Sequence, residues 1–153
     1  MFAEAAKKAG VKCQFIGKGG EEEKIRNANP DAIFTGWVSS DEVESKIRAS
    51  RAVVMPSLWY ETAGLSVIEA VSRGIPVVVS DKCASVEYMK HNYSGLTFHS
   101  GDVESLTEAL KQMATPKAKQ YGANAYEDYW KSPLTTEKYL NGLLVVYEKT
   151  LSS

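Results

Sequence analysis

Glu61 and Glu69, eight residues apart, bracket the run Thr62-Ala63-Gly64-Leu65-Ser66 within the stretch MPSLWYETAGLSVIEAVSRGIPVVVSD, residues 55–81. A carboxylate accepts hydrogen bonds from vicinal hydroxyls and makes a poor neighbour for phosphate. The first N–H groups of a helix lack partners and carry positive dipole character, so they attract an anion. Glu61 in the loop before a helix start, with Glu69 about one turn in, therefore suits one kind of ligand: hydroxyl-bearing rings at the ends and phosphate in the middle. The same spacing fits an N-capped helix with one solvated and one paired glutamate equally well.

The flanking residues set this unit between two strands. Ala52-Val53-Val54-Met55 is apolar and β-branched until Pro56-Ser57 stops it. Residues 65–73 have helical apolar spacing and end at Gly74. Ile75-Pro76-Val77-Val78-Val79 lacks polar alternation, as a strand covered on both faces does. Upstream, residues 3–9 read as a helix stopped by Gly10, 11–16 as a strand, 21–27 as a helix, 32–34 as a strand and 41–50 as a helix capped by Ser40. Downstream, 86–91 reads as a short helix, 95–98 as a strand and 102–113 as an amphipathic helix. Residues 115–120 look like a linker or weak helix and 121–131 an irregular aromatic stretch; a long apolar helix starts at Thr135-Thr136-Glu137 and runs to Leu151.

Alternation of strands and helices with short connections predicts an α/β fold: a parallel sheet with helices on both faces. Ligands of such sheets bind beyond the carboxyl ends of the strands. The loops there are residues 17–20, 36–40, 57–64 and 80–85, rich in glycine and polar residues.

The 153 residues fit one domain with a core, and 44% hydrophobic with 24% charged residues is ordinary for a globular chain. A net charge of −1 provides no field for nucleic acid, so no nucleic-acid partner is expected. No apolar run is long enough to span a membrane, and the N-terminus lacks the apolar centre of a signal peptide. The two cysteines, Cys13 and Cys83, follow no metal spacing and are expected to be reduced thiols in a cytoplasmic protein. His91 and His99 lie near loops without evident triad partners and read as surface histidines. Trp59-Tyr60 either lines the site or packs under its loop, with packing slightly favoured.

The segment Glu61 to Ala70 resembles the E-x7-E region of retaining GT-B glycosyltransferases, family 4 (glycosyl transferases group 1). Arg73-Gly74-Ile75-Pro76-Val77-Val78 resembles that family's G-x-P-V-V strand, and Ser94-Gly95-Leu96 and Gly101-Asp102 with Leu106 resemble its next two segments. Phe15-Ile16-Gly17-Lys18-Gly19 and Phe34-Thr35-Gly36-Trp37-Val38 resemble two further loops, so the likeness runs in order over roughly residues 1–113.

The resemblance implies a Rossmann-like domain, the C-terminal, donor-binding half of a GT-B fold with a long C-terminal helix. It implies that Glu61 is catalytic and binds hydroxyls of the donor sugar, and that Glu69 binds the ribose. Backbone N–H groups of Ala63, Gly64, Leu65 and Ser66 would hold sugar and diphosphate. Val38 and Ser40 would edge the base, and Gly17 and Gly19 would let the chain pass close to the base or ribose. The donor is a nucleotide-diphosphate sugar acting as substrate; no cofactor and no metal are expected. The acceptor would be a growing polysaccharide or lipid-linked glycan, and the full-length protein cytoplasmic or peripheral at the membrane.

The family's first strand, whose loop carries an Arg and a Lys that clamp the diphosphate, and its N-terminal acceptor domain are not found in residues 1–153, read as one domain. The isolated chain is therefore expected to be inactive and to self-associate through its apolar C-terminal helix. Ala63 stands where many members carry an aromatic residue, and Cys83-Ala84-Ser85-Val86-Glu87 replaces a Gly-Gly before a Glu. The competing readings are a non-catalytic nucleotide-binding or regulatory module, a GT-B nucleotide-sugar epimerase, and an interaction domain with a vestigial site.

Overall fold

The structure is a computed structural model that describes residues 1–59 and 64–152. Among the described residues the order is α1 (Phe2–Ala9), β1 (Gln14–Phe15), α2 (Glu22–Ala28), β2 (Ile33–Phe34), α3 (Ser40–Ala49), β3 (Val53–Met55), α4 (Leu65–Ser72), β4 (Val77–Ser80), a 3-10 turn (Ala84–Tyr88), β5 (Gly95–Phe98), α5 (Val103–Met113), α6 (Lys117–Lys131) and α7 (Thr136–Leu151). Every strand pairing is parallel, with β1 beside β2 and β4 between β3 and β5. Among the described residues no ladder joins the β1–β2 pair to the β3–β4–β5 sheet.

The unbroken apolar run in β4 explains its central position. Val77, Val78, Val79 and Ser80 are each 0% exposed. Val78 enters a cluster with Ala5 and Ala6 of α1 and Leu106, Leu110 and Met113 of α5. Its neighbours Val77 and Val79 point to the other face, where they meet Val67, Ala70 and Val71 of α4, with Ile47 of α3 and Ala125 of α6. This period of two gives the sheet a helical layer on each face. Full burial of one such side chain contributes about 1.5–3 kcal/mol. The first cluster also takes in Cys13, Ala32, Phe15 and Phe34, so both sheet pieces share one side-chain core.

Several boundaries differ from expectation. The first two strands shrink to two residues each, because only there do both backbones pair (Gln14 with Ile33, Phe15 with Phe34). The cap of α3 is Ser39 rather than Ser40: the Ser39 hydroxyl accepts from the Glu42 N–H while the Glu42 carboxylate accepts the Ser39 N–H, a closed capping box. Ser40 is already helical. The short helix expected at 86–91 is instead a 3-10 turn over Ala84–Tyr88.

The largest correction is α6, one regular 15-residue helix where a linker or weak helix followed by an irregular stretch was expected. Its buried stripe is Ala118, Tyr121, Gly122 and Ala125, which has helical spacing but little hydrophobic bulk. Gly122 sits so close to the turn after α4 that a Cβ would lie 2.2 Å from the Gly74 carbonyl oxygen. Trp130 Nε1 donates to the Ser72 carbonyl oxygen at 3.0 Å, completing the junction. The long helix α7 is present as expected, capped by the Thr135 hydroxyl. None of its residues is buried, and Tyr139, Leu144, Val146 and Leu151 are all exposed.

Candidate functional site

Gly64 starts α4. It takes φ 62° and ψ 61°, the left-handed region that only glycine enters freely, and no side chain caps the helix. Its carbonyl accepts from Val67 N–H at 2.8 Å and Ile68 N–H at 3.4 Å. The first turn carries no acidic residue. The amides of Leu65 and Ser66 therefore open the helix with neither an intrahelical acceptor nor a competing carboxylate. Leu65 is exposed and Ser66 half-buried.

Gly64 itself is buried, and a Cβ there would lie 1.9 Å from Ser85 Oγ. Ser85, 0% exposed, accepts from the Cys83 thiol at 3.1 Å. Ser85 thus fixes the height of the α4 N-terminus. Sequence reasoning missed this contact, because no local signal links residues 64 and 85.

Glu69 lies one turn into α4 and is exposed. Its carboxylate accepts no hydrogen bond among the described residues, while its backbone carbonyl accepts from Arg73 Nη1 at 2.9 Å. Arg73 is turned toward Glu44, with Nη2 3.1 Å from the carboxylate. The guanidinium pair with Arg73 holds the Glu44 carboxyl below its usual range, with help from Arg48. Of the sequence-predicted residues, Gly64, Leu65, Ser66 and Glu69 thus gather at one helix end. Glu61 and Ala63 lie outside the described residues.

The loops after β1 and β2 form a second group. Gly17 N–H donates to Gly36 O at 3.0 Å, an isolated antiparallel bridge with both glycines at positive φ (116° and 68°). The Lys18 stem lies across Gly36, where a Cβ would stand 3.3 Å from its Cε. Gly19 is exposed with open space around its Cα, Val38 is half-buried and Ser40 exposed. Gly17 and Val38 are thereby brought to one edge on adjacent loops.

A third feature ties the carboxyl ends of β3, β4 and β5 together. Asp81, just after β4, accepts from the Ser100 N–H at 2.9 Å and faces His99 Nδ1 at 3.2 Å. Ser100, after β5, donates through its hydroxyl to the Ser57 carbonyl after β3 at 3.4 Å. The Ser100 N–H, then His99, hold the Asp81 carboxyl below its usual range. His99 is thus tied to a carboxylate, and His91 Nδ1 accepts from the Thr97 N–H at 3.0 Å. Trp59, expected to pack under its loop, is 82% exposed. Among the described residues no group of three or more His, Cys, Asp or Glu side chains is placed to hold a metal ion. Cys13 and Cys83 are buried and unbridged.

With this geometry in hand, likeness to known proteins becomes interpretable. The family model of glycosyl transferases group 1 matches residues 2–128. The chain belongs to this family. It is 34% identical over 104 residues to the sulfoquinovosyl transferase of Arabidopsis thaliana, across 65% of this chain and 20% of that protein. The chain spans between 13% and 34% of the length of the curated relatives it matches, 20% of the Arabidopsis protein.

Two solved structures share its fold, that of the GT-B glycosyltransferases. One is an Anabaena protein in complex with UDP and glucose: TM-score 0.74 at 18% identity, over 84% of this chain and 39% of that one. The other is the C-terminal domain of a glycosyl transferase group 1 protein from Francisella tularensis: TM-score 0.73 at 23% identity, over 86% of this chain and 76% of that one.

Proposed function

We propose that this chain is the donor-binding domain of a retaining glycosyltransferase, which transfers a sugar from a nucleotide-diphosphate sugar to a glycan or lipid-linked acceptor. The observation that carries the reading is the α4 N-terminus: a glycine cap, an acid-free first turn and open amides, with one turn on the Glu69 carboxylate, which accepts no hydrogen bond among the described residues. Family membership and the UDP and glucose of the Anabaena protein support it. The similar extent of the Francisella C-terminal domain supports the reading of residues 1–153 as one donor-binding unit, completed in the full protein by an acceptor domain.

In this reading the amides of residues 63–66 receive the diphosphate, Glu69 accepts from the ribose hydroxyls and Glu61 from the donor sugar. Gly17, Gly19, Val38 and Ser40 border the base. As the glycosidic bond breaks, negative charge grows on the leaving diphosphate, and helix amides aimed at it stabilise the transition state. No metal takes part. Cations elsewhere in the full protein complete the clamp; without them the barrier rises by roughly several kcal/mol, and no acceptor is positioned. The chain alone therefore binds nucleotide weakly and turns over negligibly. The exposed α7 stripe meets the acceptor domain in the full protein and promotes self-association in its absence.

The test is a thermal-shift panel of UDP, GDP and ADP with the wild-type chain and Glu69→Ala. A ligand that binds only the folded state raises the midpoint by mass action. One nucleotide should raise it, and Glu69→Ala should abolish the rise. An equal shift in both proteins removes Glu69 from the site. No shift with any nucleotide at millimolar concentration rejects the donor-binding reading.

A further inference from the structure

Arg73 follows the last turn of α4, four residues after Glu69. A glutamate four residues before a cation is the favoured order for an ion pair on a helix, and a planar guanidinium can take both oxygens of a carboxylate at once. The chain does not form that pair. Among the described residues the Glu69 carboxylate makes no hydrogen bond and no ion pair, although Arg73 Nη1 donates to the backbone carbonyl of the same residue at 2.9 Å.

The guanidinium is committed elsewhere. Its Nη1 also donates to the Ser72 hydroxyl at 3.2 Å, which holds the head on the end of α4. Its Nη2 lies 3.1 Å from the carboxylate of Glu44 on α3. Glu44 is braced in turn by Arg48, one turn along α3, at 2.8 Å. The Glu44 bond is the main influence keeping Arg73 charged, whereas the Glu69 carboxylate acts on it only through its field. The pose toward Glu44 leaves Arg73 Nε buried with no partner among the described residues, which is unfavourable. The Glu44 bond is what offsets it. A pair this open to water adds little to the stability of the fold.

We propose that Glu44 is a positioning residue for the ribose site: it draws Arg73 across to α3 and so leaves both oxygens of Glu69 to the ribose hydroxyls. The warrant is a competition for two atoms. A vicinal diol donates one hydrogen bond to each oxygen of a carboxylate, and an arginine fork takes the same two oxygens, so the two cannot sit on Glu69 together. Removing the Glu44 charge releases Arg73 to the partner that helix spacing favours, and the ribose must then displace it. The inference rests on the assignment of Glu69 to the ribose within the donor-binding reading. It adds the residue, on a different helix, that keeps Glu69 open.

The experiment is calorimetric titration of the full chain with UDP, GDP and ADP, and then with the 2′,3′-dideoxy form of the nucleotide that binds. The ratio of the two affinities isolates the ribose hydroxyls and cancels any general change in the field near the phosphates. An exposed pair of the Arg73–Glu69 kind forms with an equilibrium constant of about 2–5, so in Glu44→Gln the ratio should fall about three- to sixfold. Adding Arg73→Met to Glu44→Gln removes the competing fork and should restore the ratio. A ratio unchanged in Glu44→Gln overturns the proposal. A fall that Arg73→Met does not reverse overturns it as well, since Glu44 then acts through the packing of α3 on α4 and not through Arg73. Glu69→Ala separates this inference from the reading beneath it. A wild-type ratio that collapses in Glu69→Ala but survives Glu44→Gln overturns this inference alone. A wild type that binds both forms equally removes Glu69 from the ribose and this inference with it, and one that binds no nucleotide overturns the donor-binding reading as a whole.

Discussion

Two glycines in helix interiors should respond to the same substitution with opposite signs. Intrinsic propensity favours alanine over glycine by about 0.5–1 kcal/mol at such positions. At Gly142, in α7, no atom lies within 4 Å of the place a Cβ would take, so Gly142→Ala should realise that gain. At Gly122, in α6, a Cβ falls 2.2 Å from Gly74 O, 3.2 Å from Gly74 C and 3.2 Å from Pro76 Cδ, where ordinary contact starts at 3.4 Å. The obstacle is backbone, held in its own turn at φ 73°, so α6 itself must move outward by about 1 Å. Overpacking of that kind costs about 1–3 kcal/mol. Subtracting the propensity gain leaves Gly122→Ala destabilised by roughly 0–2.5 kcal/mol, with a mid-range near 1 kcal/mol.

For a chain of this size the melting temperature should fall by about 2–4 °C per kcal/mol. Urea unfolding checks the sign, with the midpoint dropping at constant slope. The Gly142→Ala gain should appear as slower amide exchange within α7 and leave the global midpoint nearly still, because α7 buries no residue. A Gly122→Ala protein more stable than wild type would refute the close α6–α4 approach.

Gly64→Ala should cost about 2–4 kcal/mol, from left-handed backbone strain and collision with Ser85 Oγ; in a Ser85→Ala background the further cost should drop by about 1 kcal/mol or more. Additive urea-derived free energies would disprove the contact. The depressed carboxyls of Glu44, Asp81 and Asp128 fix the sign of the acid response. A group whose folded pKa lies below its unfolded value of about 4 contributes fully above that value and loses its contribution as pH falls through the folded pKa. Stability should therefore decline below about pH 4, and Glu44→Gln should make that decline shallower; identical slopes in pH-dependent urea titrations would count against the Glu44–Arg73 pair.

What the sequence disclosed follows from how locally each feature is encoded. The β4 run has no polar position to confuse it, and its cover on both faces was legible. So was α5, expected over 102–113 and found at Val103–Met113, with the Asp102 carboxylate accepting the Ser105 N–H at its start. The α3 cap slipped by one because Ser39 and Ser40 are adjacent and only the reciprocal bond with Glu42 tells them apart. Helix α6 was missed because its buried stripe consists of alanine, glycine and tyrosine, which register weakly as hydrophobic. At the site, the grouping of Gly64 to Glu69 was readable from spacing, since one helix end carries it. The support from Ser85 and the Ser57–Ser100–Asp81 bracket was not, because those partners come from separate strands.

The break between the β1–β2 pair and the β3–β4–β5 sheet has a further consequence. Side chains span it, but among the described residues no backbone ladder does. The loops with Gly17 and Val38, proposed above to border the base, belong to one piece; Gly64 and Glu69 belong to the other. A ligand gripped at both ends would act as a rung in place of the absent ladder, lowering the independence of the two pieces without touching the core between them. Its signature would be slower exchange at Gln14, Phe15, Ile33 and Phe34, with the already protected β4 amides scarcely changed.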